Sequence, residues 1–164
     1  MGEEIEVQVL EINPDKIQKL LKQLGAKKIF DGKLHSIYYS APQGEHLRLR
    51  NFVTHATLTY KEPISKEDAK VRLEHETKVE FKEMKHILDK LGFEIIKEIK
   101  KHRISYELKE FRYDIDTTED IPPMMEIEAP TEEKLKDAIE LVGLTMKDVV
   151  AMTGQQVVDH YKKR

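Results

Sequence analysis

The chain has 164 residues and contains neither cysteine nor tryptophan. Without cysteine there is no disulfide, no thiolate metal site and no cysteine nucleophile, a composition that fits a cytoplasmic protein. Glycine is scarce, with seven residues, and no Gly-x-x-x-x-Gly-Lys or Gly-x-Ser-x-Gly motif occurs. No glycine-rich loop is there to cradle a phosphate, so phosphate binding would fall to side chains. The seven histidines are scattered, with no His-x-x-x-His pair, which argues against zinc. No long apolar run exists and the mean hydropathy is −0.59, so no transmembrane helix is expected. The N-terminus, Met1-Gly2-Glu3-Glu4, is acidic and lacks a signal region. Charged residues make up 36% of the chain, yet the net charge is only −3. Such mixing argues against a basic nucleic-acid binder and against an acidic disordered tail.

What is present is charge in alternation. The stretch from Glu4 to Leu10 alternates Ile5, Val7 and Val9 with Glu4, Glu6 and Gln8, so the two carboxylates share one face of a strand. A helix follows from Asn13-Pro14-Asp15, a capping residue, a first-turn proline and an acid, and stops at Gly25. Further strands are expected at 27–30, 35–39, 46–50, 56–61, 71–79, 93–106, 111–117 and 124–129, and a polar loop at 63–70. Helices are expected from Phe81 to Leu91 and from Thr131 to Leu141, with a mostly helical tail from about 146. The whole chain, 1–164, reads as one domain.

Glu-x-Glu recurs at Glu74-His75-Glu76 and Glu126-Ile127-Glu128, and Asp114-x-Asp116 adds a fourth acidic pair. The basic counterpart is Arg48-x-Arg50 and Lys101-x-Arg103, with Lys61 and Arg72 as candidates for the same set. Carboxylates hold hard cations such as Mg2+ or Mn2+ through oxygen, and arginine forks match phosphate oxygens. Acids and bases together on strands suggest a metal-bound polyanion. Asp114 reads as an ion-pair partner. Tyr38, Tyr39, Tyr60 and the Met124-Met125 pair read as packing residues, and His46 and His102 as outward-facing.

The ordered set Glu4-Ile5-Glu6-Val7-Gln8, Leu47-Arg48-Leu49-Arg50, Thr59-Tyr60-Lys61, Arg72-Leu73-Glu74-His75-Glu76, Lys101-His102-Arg103 with Tyr106, Asp116, and Glu126-Ile127-Glu128 resembles the CYTH family of triphosphate tunnel metalloenzymes. The resemblance runs from residue 4 to about 130. It implies an α+β fold: a closed or nearly closed antiparallel eight-stranded β-barrel with flanking helices and a charged interior. It implies Glu4, Glu6, Asp116, Glu126 and Glu128, joined by Glu76, on the side of a Mg2+ or Mn2+ ion. Arg48, Arg50, Lys61, Arg72, Lys101 and Arg103 would hold a triphosphate, with Glu4, Glu6, Arg48, Arg50, Lys61 and Arg103 in catalytic roles. The implied partner is a triphosphate-containing small molecule such as ATP, thiamine triphosphate or tripolyphosphate, bound by a monomer or homodimer. Hydrolysis of that triphosphate is one implied activity. Cyclisation of ATP to cyclic AMP and pyrophosphate, as in class IV adenylate cyclases, is another, and binding without turnover a third. Two features depart from the family pattern. Gln8 stands where the family usually has Lys, and Ile121-Pro122-Pro123 replaces a Gly-rich turn.

Overall fold

The computed structural model describes residues 5–63, 72–152 and 154–162. In chain order these form β1 (Ile5–Val9), α1 (Pro14–Gln23), β2 (Lys27–Tyr39), β3 (His46–Asn51), β4 (Ala56–Pro63), β5 (Arg72–Val79), α2 (Phe81–Lys90), β6 (Ile95–Leu108), β7 (Phe111–Thr117), β8 (Met124–Ala129), α3 (Glu132–Leu141) and α4 (Gly154–Lys162). The eight strands belong to one sheet in the order β1-β8-β7-β6-β2-β3-β4-β5. Each ladder whose register is described is antiparallel. The expected fold class is thus met: eight antiparallel strands with helices beside them. β1 and β5 are the end strands, and among the described residues no ladder joins them. No described helix is long and apolar enough to cross a membrane.

The chain divides into two compact units, one made of 1–31 with 102–164, the other of 32–101. In the first, β1, β6, β7 and β8 turn one face inward. Val7, Val9, Tyr106, Tyr113, Ile115, Met125 and Ile127 pack there with Leu21 of α1 and Leu135, Ala138 and Ile139 of α3. The tyrosine at the centre keeps its polar end satisfied, because the Tyr113 hydroxyl donates to the Ala138 carbonyl at 2.8 Å. In the second unit Ile37, Tyr39, Leu47 and Leu49 cluster with Leu88 of α2, and Phe81 and Met84 pack against them. Alternation then sends the charged residues of the same strands to the other face.

The helices start and stop where their side chains dictate. Asn13 accepts from the Lys16 N–H at 3.0 Å and Thr131 from the Lys134 N–H at 3.2 Å. Gly25, at φ +81°, ends α1 by letting Ala26 N–H reach back to the Leu21 carbonyl at 2.9 Å.

Two boundaries differ from expectation. Residues 27–30 and 35–39 form one strand through Asp31-Gly32. That strand lies in the interior of the sheet order, where a strand has a neighbour on each side. The tail helix begins at Gly154 rather than near 146. Before it, Thr145 and Asp148 close a turn, with the Thr145 N–H on Asp148 Oδ2 at 2.8 Å. Val150 then exchanges both backbone hydrogen bonds with Gln8, at 2.9 and 2.8 Å. The open edge of β1 claims this segment as an extended partner, so it cannot be helical. The expected loop at 63–70 lies outside the described residues, apart from Pro63 at the end of β4.

Ile127 is fully buried in the first core. Ile127→Ala is expected to lower stability by about 2–5 kcal/mol, the range for deleting a buried aliphatic side chain. A urea denaturation midpoint shifted by less than a tenth of the wild-type value would contradict that placement of the core.

Candidate functional site

In the first unit, register converts four strands into rows of polar side chains. Ser105 lies opposite Asp114, Asp114 opposite Glu126, and Glu126 opposite Gln8. The next row runs Glu107, Arg112, Glu128, Glu6. Arg103 and Asp116 begin a third, which ends at Met124.

Arg103 is the centre of this face. Its Nε and Nη2 donate to the two oxygens of Asp116, each at 2.7 Å, and Nη1 donates to Asp114 Oδ2. Glu126 Oε1 stands 3.7 Å from Nη2. The other Asp114 oxygen accepts from Arg112 Nε at 3.1 Å. Arg103, Asp114 and Asp116 are 6%, 2% and 2% exposed, so these charges are removed from water and depend on one another. Burial alone would lower the Arg103 pKa. The hydrogen bond and charge of Asp116, with Glu126 and Asp114 behind it, outweigh burial and hold the guanidinium above its ordinary value.

The donors of Arg103 face carboxylates of its own unit, and Asp116 has both oxygens on Arg103. Asp114, expected as an ion-pair partner, is one. Glu126 and Glu128 are half-buried and Glu6 is exposed. Glu126 Oε2 accepts from Gln8 Nε2 at 2.9 Å.

Carboxylate and carboxamide oxygens suit a hard divalent cation. Among the described residues no three His, Asp or Glu side chains converge as a ready-made metal cage. A Mg2+ ion does not require one, since it commonly uses one or two carboxylates and completes its shell with water and substrate phosphate. The donor chemistry fits such an ion, and Glu126 and Glu128 are residues that could supply its oxygens. Glu4 lies outside the described residues.

The second unit carries the cations. Arg48 and Arg50 share a face of β3 with Ser36 and Tyr38 of β2, Thr57 and Thr59 of β4, and Glu76 and Lys78 of β5. Arg50 Nε donates to the Ser36 hydroxyl at 2.9 Å, and its guanidinium lies 6.0 Å from the Phe52 ring centroid. The Thr59 hydroxyl links two charges: it donates to Glu76 Oε2 at 2.7 Å and lies 3.4 Å from Arg48 Nη2. Lys61 pairs with Glu74 at 2.5 Å. So of the Glu74-x-Glu76 pair, each carboxylate meets a basic neighbour. Arg72 sits opposite Pro63 at the start of β5, and its side chain is outside the description.

Tyr38 was expected as a packing residue and instead sits within the field of these cations. Burial would raise its pKa, but the charges of Arg48, Arg50 and Lys101 outweigh burial and pull the phenol below its ordinary value. Period-two spacing puts Ser36 and Tyr38 on one face of β2, and the sheet's register sets that face against Arg50 and Arg48. Thr59 and Ser105 belong to the same overlooked class of small hydroxyl residues on charged rows. Lys101 bears on Tyr38 in this unit, whereas Arg103, two residues on, belongs to the other. Of the histidines, His102 is exposed and pairs with Asp31 at 2.9 Å. Met124 and Met125 are buried, as expected.

Residues 2–152 match the CYTH domain family. A protein of Methanocaldococcus jannaschii named "Putative adenylate cyclase MJ0240" is 33% identical over 132 residues, covering 76% of this chain and 75% of that one. Among solved structures, the PH1012 protein of Pyrococcus horikoshii superposes with a TM-score of 0.80 at 24% identity, covering 94% of this chain and 98% of its own. The Hippeastrum adenylyl cyclase homologue HpAC1, with a dominant triphosphatase activity, has a TM-score of 0.62 at 16% identity, covering 98% and 96%.

Two outcomes follow from the charge arrangement. Arg103→Met is expected to cost about 3–5 kcal/mol, because it leaves Asp114 and Asp116 buried without their partner. Adding Asp114→Asn and Asp116→Asn should restore most of that loss in a thermal or urea melt; no restoration would show that the carboxylates are not what Arg103 compensates. In an alkaline titration followed by tyrosinate absorbance, Tyr38 should ionise below the ordinary tyrosine range. Tyr38→Phe should remove that early component and Arg48→Ala should move it upward; an early component that survives Tyr38→Phe would refute the assignment.

Proposed function

The chain belongs to the CYTH domain family, and on that premise we propose that it binds a triphosphate-containing small molecule with a divalent metal and hydrolyses it. The observation that carries this reading is Arg48 and Arg50 side by side on one face of β3, opposite Tyr38, Ser36, Thr59 and Thr57, with Tyr38 pulled below its ordinary pKa in keeping with that charge. A surface that stabilises a phenolate stabilises phosphate oxygens for the same electrostatic reason.

Arg48, Arg50, Lys61, Arg72 and Lys101 hold phosphate oxygens in this reading. Arginine forks at Arg48 and Arg50 also meet the charge that builds on those oxygens during transfer. Glu6, Glu126 and Glu128, with Glu4, supply oxygen donors for Mg2+ or Mn2+. When bound, that ion would neutralise phosphate charge and lower the pKa of a coordinated water. Arg103 acts one step back: its hydrogen bonds hold Asp114 and Asp116 in place, and so keep the carboxylate face in shape.

A second reading is favoured by the 33% identity to a protein with a cyclase name. There the ribose 3′ oxygen attacks the α-phosphorus and pyrophosphate leaves. Hydrolysis and cyclisation ask for the same cations, and the fold serves a dominant triphosphatase activity in the Hippeastrum protein. The fold therefore does not choose between them.

Product analysis chooses. With ATP, thiamine triphosphate and tripolyphosphate in turn, and Mg2+ or Mn2+ present, orthophosphate release is expected. Cyclic AMP with pyrophosphate would replace the hydrolase reading by the cyclase one, and tight binding without turnover would replace both. Arg48→Ala and Glu126→Gln should each reduce kcat/KM by roughly 100-fold, the scale for losing one transition-state charge partner.

A further inference from the structure

Gln8 is one of several residues with a buried side-chain polar atom that has no hydrogen-bond partner, and it stands beside a carboxylate. Its side chain is fully buried, and its backbone is held on both edges: β8 pairs with it at Glu126, and Val150 exchanges both backbone hydrogen bonds with it on the other side. The carboxamide has little freedom. Nε2 donates to Glu126 Oε2 at 2.9 Å, while Oε1 is buried with no hydrogen-bond partner. Turning the amide over would set its oxygen against a carboxylate oxygen, so the hydrogen bond fixes which way Oε1 faces.

A buried carbonyl oxygen without a donor is costly and calls for an electropositive partner. On its row Gln8 stands opposite Glu126, with Asp114 next along on β7. Arg103 is bound to Asp116 and Asp114, and Arg112 Nε to Asp114. A small hard cation would satisfy Oε1 beside a carboxylate, since amide and carboxylate oxygens are both ordinary ligands for one.

We propose that Gln8 is itself a ligand of the divalent cation, through its carboxamide oxygen, next to Glu126. The proposal rests on the metal-dependent reading above and extends it. A lysine at this position could not act so. Its ammonium would pair with Glu126 and repel a second cation. Gln8 thus changes the position from one that meets anions into one that meets a metal. The expected consequence is a chain that loads its cation before, and independently of, triphosphate.

The test uses the full chain and Mn2+ alone, with free Mn2+ followed by electron paramagnetic resonance and folding checked by circular dichroism. Gln8→Met keeps the shape and removes the oxygen; it should weaken Mn2+ binding at least tenfold. Gln8→Glu supplies a charged oxygen in the same place; it should tighten binding severalfold. Gln8→Met within twofold of wild type, or Gln8→Glu no tighter than wild type, would overturn the proposal. Should Gln8→Met not fold, Gln8→Glu decides. Glu126→Gln separates the two levels. If it abolishes Mn2+ uptake while Gln8→Met retains it, the metal reading stands and the role of Gln8 falls. If the wild-type protein takes up no Mn2+ at millimolar concentration, the metal reading falls and the proposal with it.

Discussion

Everything on the charged face of the first unit depends on one buried guanidinium. Arg103 binds three carboxylate oxygens directly and lies near a fourth. Asp114 and Asp116 are removed from water beside Arg103, and each side of the cluster would be left as uncompensated buried charge without the other. Because these groups sit on β6 and β7 and reach β8 through Glu126, the ion cluster ties three strands together on the face opposite the apolar core. The same sheet segment is therefore held from both sides by different physics. Hydrophobic burial against α1 and α3 acts on one face, and mutual neutralisation of buried charge acts on the other.

The second unit solves the opposite problem. Its arginines are half-buried, and they are steadied by neutral groups as well as by acids: Ser36 under Arg50, Thr59 between Arg48 and Glu76, and the Phe52 ring beside Arg50. A hydroxyl orients a guanidinium without cancelling its charge, so the field of these cations persists and is felt at Tyr38. That contrast explains why two arginines of one motif set take different parts. Arg48 sits among hydroxyls and keeps charge to offer. Arg103 sits among carboxylates of its own unit.

Much of the fold was legible because it is written in local periods. The strand alternations at 5–9, 46–51 and 124–129, the Asn13 and Thr131 caps, and the Gly25 stop depend on neighbours within a few residues. The continuity of β2 and the late start of α4 were not legible. Each depends on a distant partner: interior strands have a ladder on both sides, and Val150 is held extended by Gln8, far away in the chain.

For the site, motif order along the chain was enough to pick out the charged residues and the family to which they belong. Side-chain alternation was enough to put Arg48 beside Arg50 and Glu126 beside Glu128. Charge type and spacing carry no information about partners across strands, because pairing register is set by the whole sheet. Only the folded sheet could show that Arg103 faces Asp114 and Asp116, that Tyr38 lies among cations, and that Gln8 donates to Glu126 with its own oxygen buried. A buried ionisable or amide group takes its role from what stands opposite it, and what stands opposite is decided by tertiary register.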